Sequence, residues 1–204
     1  MSDILKTYNV SRETMDNLKA YEKLVLEWNN KFNLISKSSV DCIWGRHIED
    51  SLQLCNFITP KDRVLYDFGS GAGFPGVVIA IIAKEFFPNL EVNLIESIGK
   101  KAMFLNVVKE SLKLNIKIHN ERIENLKLSK ADVITSRAMA SLDKLLFFSK
   151  PFCGKETRLL FLKGEKWKDE LLEAQKKWLF DYLSTKSLTS DTGCVLEIKN
   201  IRRR

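Results

Sequence analysis

Between Leu18 and Phe32 the apolar positions Leu18, Tyr21, Val25, Trp28 and Phe32 advance by three and four residues. That spacing gathers side chains on one face of a helix and predicts helical structure over about 12–35. A second helical stretch over about 39–57 carries Ile43, Trp44, Ile48, Leu52 and Leu54 and stops before Thr59-Pro60, since the residue before a proline is driven out of the helical region. Beyond Pro60 the texture changes. Short β-rich runs at 63–68, 91–96, 116–119, 131–136 and 157–162 alternate with helical patterns at 75–87, 99–113, 141–149 and 165–177, the mark of βαβ units and a parallel sheet. Two further strands, near 179–188 and 193–201, follow with no helical pattern between them, so an antiparallel pair is expected at the end of the sheet. The reading is an α/β chain: an N-terminal helical extension over 1–60 and a mostly parallel sheet domain over 61–204, flanked by helices. No internal repeat or Ser/Gly linker separates them, so the extension is expected to pack on the sheet domain.

Composition narrows the class. The chain has 204 residues, enough for one sizeable core. With 45% hydrophobic and 29% charged residues, and only 9 Gly and 4 Pro, collagenous, low-complexity and disordered classes are excluded. Lys and Arg number 33 against 26 Asp and Glu, a formal charge of +7, which favours a polyanionic partner without bearing on the fold. Cys42, Cys55, Cys153 and Cys194 show no metal-ligand or redox spacing and read as reduced thiols of a cytoplasmic protein. The first residues lack a basic segment followed by an apolar one, so no secretory signal is expected. The longest apolar run, 77–83, is far shorter than the roughly 18 residues of a membrane span. His47 and His119 are the only imidazoles, so no metal site is expected.

The densest local signal is Val64-Leu65-Tyr66-Asp67-Phe68-Gly69-Ser70-Gly71-Ala72-Gly73-Phe74-Pro75-Gly76, a strand running through a glycine loop into a helix. Glycines let the backbone turn sharply and approach a ligand closely, so a nucleotide-like ligand is expected at this edge. Two ligands compete. Gly71, Gly73 and Gly76 match the dinucleotide fingerprint; a methyltransferase loop instead begins at Gly69 and also uses Asp67, which the dinucleotide reading leaves unexplained. In both, an acid ending the next strand holds ribose hydroxyls, and Glu96 stands there. Tyr182 and Lys186 mimic the Tyr-x-x-x-Lys pair of a hydride-transfer enzyme, but that pair needs a helical turn, and the segment alternates like a strand.

Trp28-Asn29-Asn30-Lys31-Phe32-Asn33-Leu34, Arg46-His47-Ile48-Glu49-Asp50-Ser51, the loop, Glu96-Ser97-Ile98-Gly99-Lys100-Lys101, Glu121-Arg122-Ile123-Glu124, Ser136-Arg137-Ala138 and Leu162-Lys163-Gly164 run in order through most of the chain. Together they resemble the RsmG (GidB) family. The resemblance implies a class I methyltransferase (Rossmann-like) sheet and S-adenosyl-L-methionine as cofactor. It also implies methylation of guanine N7 in bacterial 16S rRNA, at guanine 527 of the 530 loop, with rRNA or the small ribosomal subunit as partner, no membrane and a monomeric enzyme. It assigns Gly69, Ser70, Gly71, Phe74, Glu96, Ile123, Glu124 and Arg137 to the cofactor, Arg137 and Lys163 to catalysis, Lys163 with a role at guanine O6 or a phosphate, and Asn33, Arg46 and His47 to RNA, His47 at the base or a phosphate. Lys199 and Arg202-Arg203-Arg204 form a terminal basic cluster, either an RNA contact or a solvated tail.

The residues themselves agree with ring-nitrogen chemistry by exclusion. After the strand at 131–136 the chain has Thr135-Ser136-Arg137-Ala138, not the Asn/Asp-Pro-Pro-Tyr/Phe of many exocyclic-amine methyltransferases, and no Pro-Cys pair supplies a thiolate nucleophile. Two rivals are a noncatalytic rRNA-binding protein of methyltransferase-like fold, opposed by the intact loop and Glu96, and a small-molecule methyltransferase, opposed by the basic excess and the Arg46-His47 helix.

Overall fold

The computed structural model describes residues 9–204; the first eight positions of the expected extension lie outside them. Helix α1 (Arg12–Asn29) starts at Ser11, whose side chain accepts the Thr14 N–H at 3.2 Å, an N-cap that satisfies one free donor of the first turn. The helix ends at Asn29 instead of near 35 because the Asn29 Oδ1 accepts the N–H groups of Leu34 and Ile35 at 2.8 and 3.0 Å. One side chain there closes a loop that apolar spacing does not foresee. The expected second helix is likewise broken into α2 (Lys37–Val40), a π-helical turn (Trp44–Glu49), α3 (Asp50–Leu52) and a 3-10 turn (Gln53–Phe57). π-Helical turns are rare and concentrate at functional sites; this one carries Arg46 and His47.

Seven strands follow: β1 (Val64–Phe68), β2 (Glu91–Ile95), β3 (Ile116–His119), β4 (Ala131–Arg137), β5 (Cys153–Lys163), β6 (Trp178–Lys186) and β7 (Cys194–Arg203). Their spatial order is β3-β2-β1-β4-β5-β7-β6. The first five are parallel, and β7 runs antiparallel to both β5 and β6, as the patterning implied. β5 begins at Cys153, four residues before its expected start, where the Thr157 hydroxyl accepts from Gly154 N at 2.7 Å and donates to the Ala131 carbonyl. The terminal arginines are not a loose tail. Arg202 and Arg203 pair with β6, and Arg203 lies over the Trp178 ring at 5.2 Å. Tyr182 and Lys186 sit on extended β6, where four residues span about 13 Å, so they do not form a catalytic pair.

Strand alternation sorts the core into two layers. Leu65, Val92, Leu94, Val133 and Leu160 face α1, α4 (Gly76–Phe86) and α5 (Gly99–Leu112); Tyr66, Phe68, Ile95, Ile134 and Phe161 face α6 (Leu142–Ser149) and α7 (Trp167–Gln175). Residues 76–83 of α4 are all buried, because the sheet covers one side of the helix and α1 and the 50–57 turns cover the other. That explains the continuous apolar run at 77–83, since a helix apolar all round is a buried one. Each fully buried Val or Ile there contributes at most about 1.5–3 kcal/mol. The extension therefore packs on the sheet layer, with Trp28 on α1 meeting Phe104 of α5 at a ring separation of 5.6 Å. Among the described residues no helix is long and apolar enough to cross a membrane. The strand order reverses between β1 and β4, and such a switch point opens a crevice outside the carboxyl ends of the strands.

Candidate active site

The glycine loop leaves β1 at this crevice. Gly69, Gly71 and Gly73 all have positive φ, at +66°, +59° and +101°, a region that side chains enter at a cost. A Cβ on Gly73 would lie 2.5 Å from Val77 Cγ2 and 2.9 Å from the Tyr21 hydroxyl, whereas one on Gly71 would meet nothing nearer than the Gly69 carbonyl at 3.8 Å. The backbone over Gly71 is therefore open to a ligand. Under the loop lies Asp67, fully buried, whose carboxylate accepts from Thr135 Oγ1 at 2.9 Å and from Gly76 N at 3.2 Å. Burial raises its pKa to about 6, against the opposing pull of these hydrogen bonds. Asp67 fixes the turn into α4. Ser70 is also buried, its hydroxyl donating to the Asp67 carbonyl at 2.9 Å and its own N–H to the Ile95 carbonyl at 3.1 Å, so it braces the loop from inside.

Glu96 follows β2 and is 5% exposed. Its two oxygens accept the Gly71 N–H at 2.8 Å and the Ile98 N–H at 2.7 Å, so the side chain expected at a ribose first of all braces the glycine loop. Each oxygen keeps a second lone pair. Ile123 is buried at the 3-10 turn after β3, and Glu124 beside it is exposed. An acid with spare acceptors, an open glycine backbone and an apolar isoleucine suit a ribose, the chain it carries and an adenine.

Beyond the loop the arrangement turns aromatic and cationic. Phe74 is buried between three partners: the Tyr21 ring at 5.2 Å, the His47 ring stacked at 4.9 Å, and the Arg137 guanidinium at 5.3 Å. Arg137 ends β4 and donates to the Arg46 carbonyl at 3.0 Å and to His47 Nδ1 at 2.5 Å, with Asp50 at 3.5 Å. Burial, reinforced by Arg137 and Arg46, lowers the His47 pKa to about 4, so the ring is neutral at physiological pH. Asp50 in turn accepts from Thr189 at 2.7 Å, while Gln53 accepts the Leu188 N–H at 3.1 Å. The β6–β7 loop is thereby tied to the π-turn region.

These elements enclose a cleft of about 1430 Å³ lined by Arg46, His47, Asp50, Arg137, Met139 and Lys163 among others. Lys163 is nearly buried; its Nζ contacts Glu170 at 2.6 Å and the Ala140 carbonyl at 3.2 Å. Arg46 is exposed on the cleft wall. Asn33 is exposed on the loop between α1 and α2, outside this lining. The structure thus gathers Arg46, His47, Arg137 and Lys163 about the cleft, with Phe74 buried behind His47 and Arg137, sets Gly69, Gly71, Glu96 and Ile123 at the glycine-loop edge, and leaves Asn33 apart. Sequence reasoning missed Tyr21, whose hydroxyl donates to the Ala72 carbonyl at 2.7 Å but which reads as one more apolar stripe position. It also missed Asp50, and Met139, which lies against Gly69.

The family model described as rRNA small subunit methyltransferase G matches residues 14–197. The chain belongs to this family. A protein of Orientia tsutsugamushi (strain Ikeda) named ribosomal RNA small subunit methyltransferase G is 44% identical over 192 residues, covering 94% of this chain and 93% of that one. A Rickettsia felis protein of the same name is 39% identical over 196 residues, covering 95% and 97%. Among solved structures, M. jannaschii TYW2 in complex with AdoMet has a TM-score of 0.58 at 19% identity, covering 78% of this chain and 76% of that one. Ribosomal protein L11 methylase from Lactobacillus delbrueckii subsp. bulgaricus has a TM-score of 0.58 at 13% identity, covering 74% and 76%. The sheet therefore has the fold of these methyltransferase structures.

Proposed function

We propose that this chain methylates N7 of a guanine in 16S rRNA, the 530-loop guanine that the family resemblance implies, using S-adenosylmethionine. The observation that carries the reading is the Phe74–His47–Arg137 stack, which joins the cofactor edge at the glycine loop to a cation-lined cleft. Membership of the rRNA methyltransferase family supports the nucleic-acid side of it.

Gly69, Gly71, Glu96 and Ile123 would hold the cofactor, which supplies an electrophilic methyl group when bound. Guanine N7 carries an in-plane lone pair and no proton, so no general base is required. What the chain's own groups contribute is orientation and a fixed electrostatic frame. Arg137 holds the His47 ring against Phe74 and adds a partly buried positive charge to the cleft lining. The exposed Arg46 would meet phosphates, and Lys163, held by Glu170 and the Ala140 carbonyl, would line the cleft beneath them; Asn33 would reach only RNA that extends past the cleft. In this reading the helical segments of residues 9–60 form the wall over the target, and the working form is a cytoplasmic monomer acting on 16S rRNA or an assembling small subunit.

The test is to mix the protein and methyl-labelled S-adenosylmethionine with 16S rRNA or small subunits from cells lacking the activity. Label in the rRNA, together with calorimetric binding of the cofactor, is expected. Cofactor binding with no transfer to either RNA substrate would contradict the reading, as would the absence of cofactor binding.

A further inference from the structure

Among the described residues, one buried donor at the cleft is left unused. His47 is 8% exposed, lines the cleft and lies flat on Phe74. Its Nδ1 is 2.5 Å from an Arg137 terminal nitrogen. A guanidinium has donors only, so Nδ1 must accept, and the single proton of the neutral imidazole sits on Nε2. That Nε2 is buried and has no partner; among the described residues the only other such side-chain atom is Ser149 Oγ, at the end of α6. A buried N–H without an acceptor is a cost the fold retains for a reason.

The chemistry of the partner follows from the tautomer. Arg137 prevents Nε2 from becoming an acceptor, so whatever meets it must accept. A purine whose N7 is presented for methylation carries its C6 substituent on the same edge: guanine offers O6, an acceptor, and adenine offers an amino group, a donor. We propose that His47 Nε2–H, uncovered as the bound base displaces the side chains over it, donates to O6 of the target guanine and thereby sets the preference for guanine over adenine, with Arg137 as the residue that positions it. This rests on the methyl-transfer reading above. A site built to pair with a substrate group discriminates strongly against an analogue lacking it, because its own polar atom is then left bare.

The experiment compares 16S rRNA carrying guanine, 2-aminopurine or adenine at the methylated position, naked and assembled into small subunits, under single turnover with labelled cofactor. 2-Aminopurine keeps N7 and has hydrogen in place of O6. Wild type should transfer methyl to guanine about ten- to a hundredfold faster than to 2-aminopurine, and to adenine more slowly still. His47→Phe keeps an aromatic ring on Phe74 and removes the donor; it should lose about the same factor on guanine and show little difference between guanine and 2-aminopurine. That coupling cancels the change that 2-aminopurine also makes at N1. His47→Gln, whose amide presents either a donor or an acceptor, should recover part of the guanine rate and relax the rejection of adenine. Equal wild-type rates on guanine and 2-aminopurine would overturn the proposal without touching the variants or their folding. A His47→Phe loss matched by an equal loss of cofactor affinity would overturn it in favour of a cofactor contact. If wild type methylates neither presentation of the guanine substrate, the underlying reading fails as well, an outcome distinct from the other two.

Discussion

The Tyr21 hydroxyl donates to the carbonyl of Ala72 at 2.7 Å, across 51 positions of sequence, and so joins the first helix directly to the glycine loop. Tyr21 is fully buried, and burial raises its pKa well above the ordinary phenol value, so the group remains a donor. The N-terminal helix is for this reason a support of the glycine loop and not only a cover for the sheet.

Tyr21→Phe keeps the ring against Phe74 and leaves the Ala72 carbonyl without its donor. A stability loss of about 1–3 kcal/mol is expected, with weaker S-adenosylmethionine binding because the loop is less well fixed. Urea unfolding and calorimetry measure the two effects. Loss of stability with cofactor affinity intact would confine Tyr21 to a packing role.

Glu96→Ala removes both the acceptor offered to ribose and the brace on Gly71 and Ile98. Cofactor binding should weaken by about 1.5–3 kcal/mol. Glu96→Gln, which keeps one acceptor oxygen for the loop, should lose less. Unchanged affinity in folded Glu96→Ala would remove Glu96 from the site.

The loop glycines should rank by their surroundings. At Gly71 a methyl group meets open space, so Gly71→Ala costs only the left-handed backbone, about 1–2 kcal/mol. Gly73→Ala forces a methyl onto Val77 and the Tyr21 hydroxyl at a φ of +101° and should cost more than about 3 kcal/mol. Equal melting temperatures for the two variants would contradict this geometry.

Two buried titrations oppose each other. Asp67 has its pKa raised to about 6, so its contribution is fully present below the unfolded value of 3.8 and is lost as pH rises through 6. His47 has its pKa lowered to about 4, so its contribution is present above 6.5 and is lost as pH falls toward 4. Each amounts to about 3 kcal/mol at most. Relative to wild type, Asp67→Asn should become progressively more stable as pH rises from 4 to 6, and His47→Phe progressively less. Denaturant midpoints across that range measure both. Parallel pH profiles for the three proteins would refute the pair.

Arg46→Ala removes an exposed cation and leaves the Arg46 carbonyl that Arg137 uses. rRNA affinity should lose about one phosphate's worth of salt dependence, with cofactor affinity unchanged. Equal damage to both ligands would make Arg46 a support of the pocket.

What the chain's pattern made legible was local. The β1–loop–α4 passage, the position of Glu96 and the alternation of strands with helices all follow from periodicities and turn residues a few positions apart. What escaped it was carried by individual side-chain hydrogen bonds, most of them over long separations. Asn29 closes the loop that ends α1 early, Thr157 extends β5 toward β4, and Asp50 and Gln53 reach the loop 187–189. Tyr21 was visible as a helix-face residue and invisible as a donor, since spacing reports which face is buried and not what a hydroxyl finds there. The tautomer of His47 likewise depends on Arg137, 90 positions away.

The central claim is settled most directly by the chemistry of the transferred methyl group. After reaction of wild-type protein and labelled S-adenosylmethionine with unmethylated small subunits or 16S rRNA, nucleoside analysis and cleavage mapping locate the label. A single 7-methylguanosine in the 530 loop is the expected result. Label on an exocyclic amine, on a pyrimidine or on a ribose hydroxyl, or spread over many guanines, would contradict it.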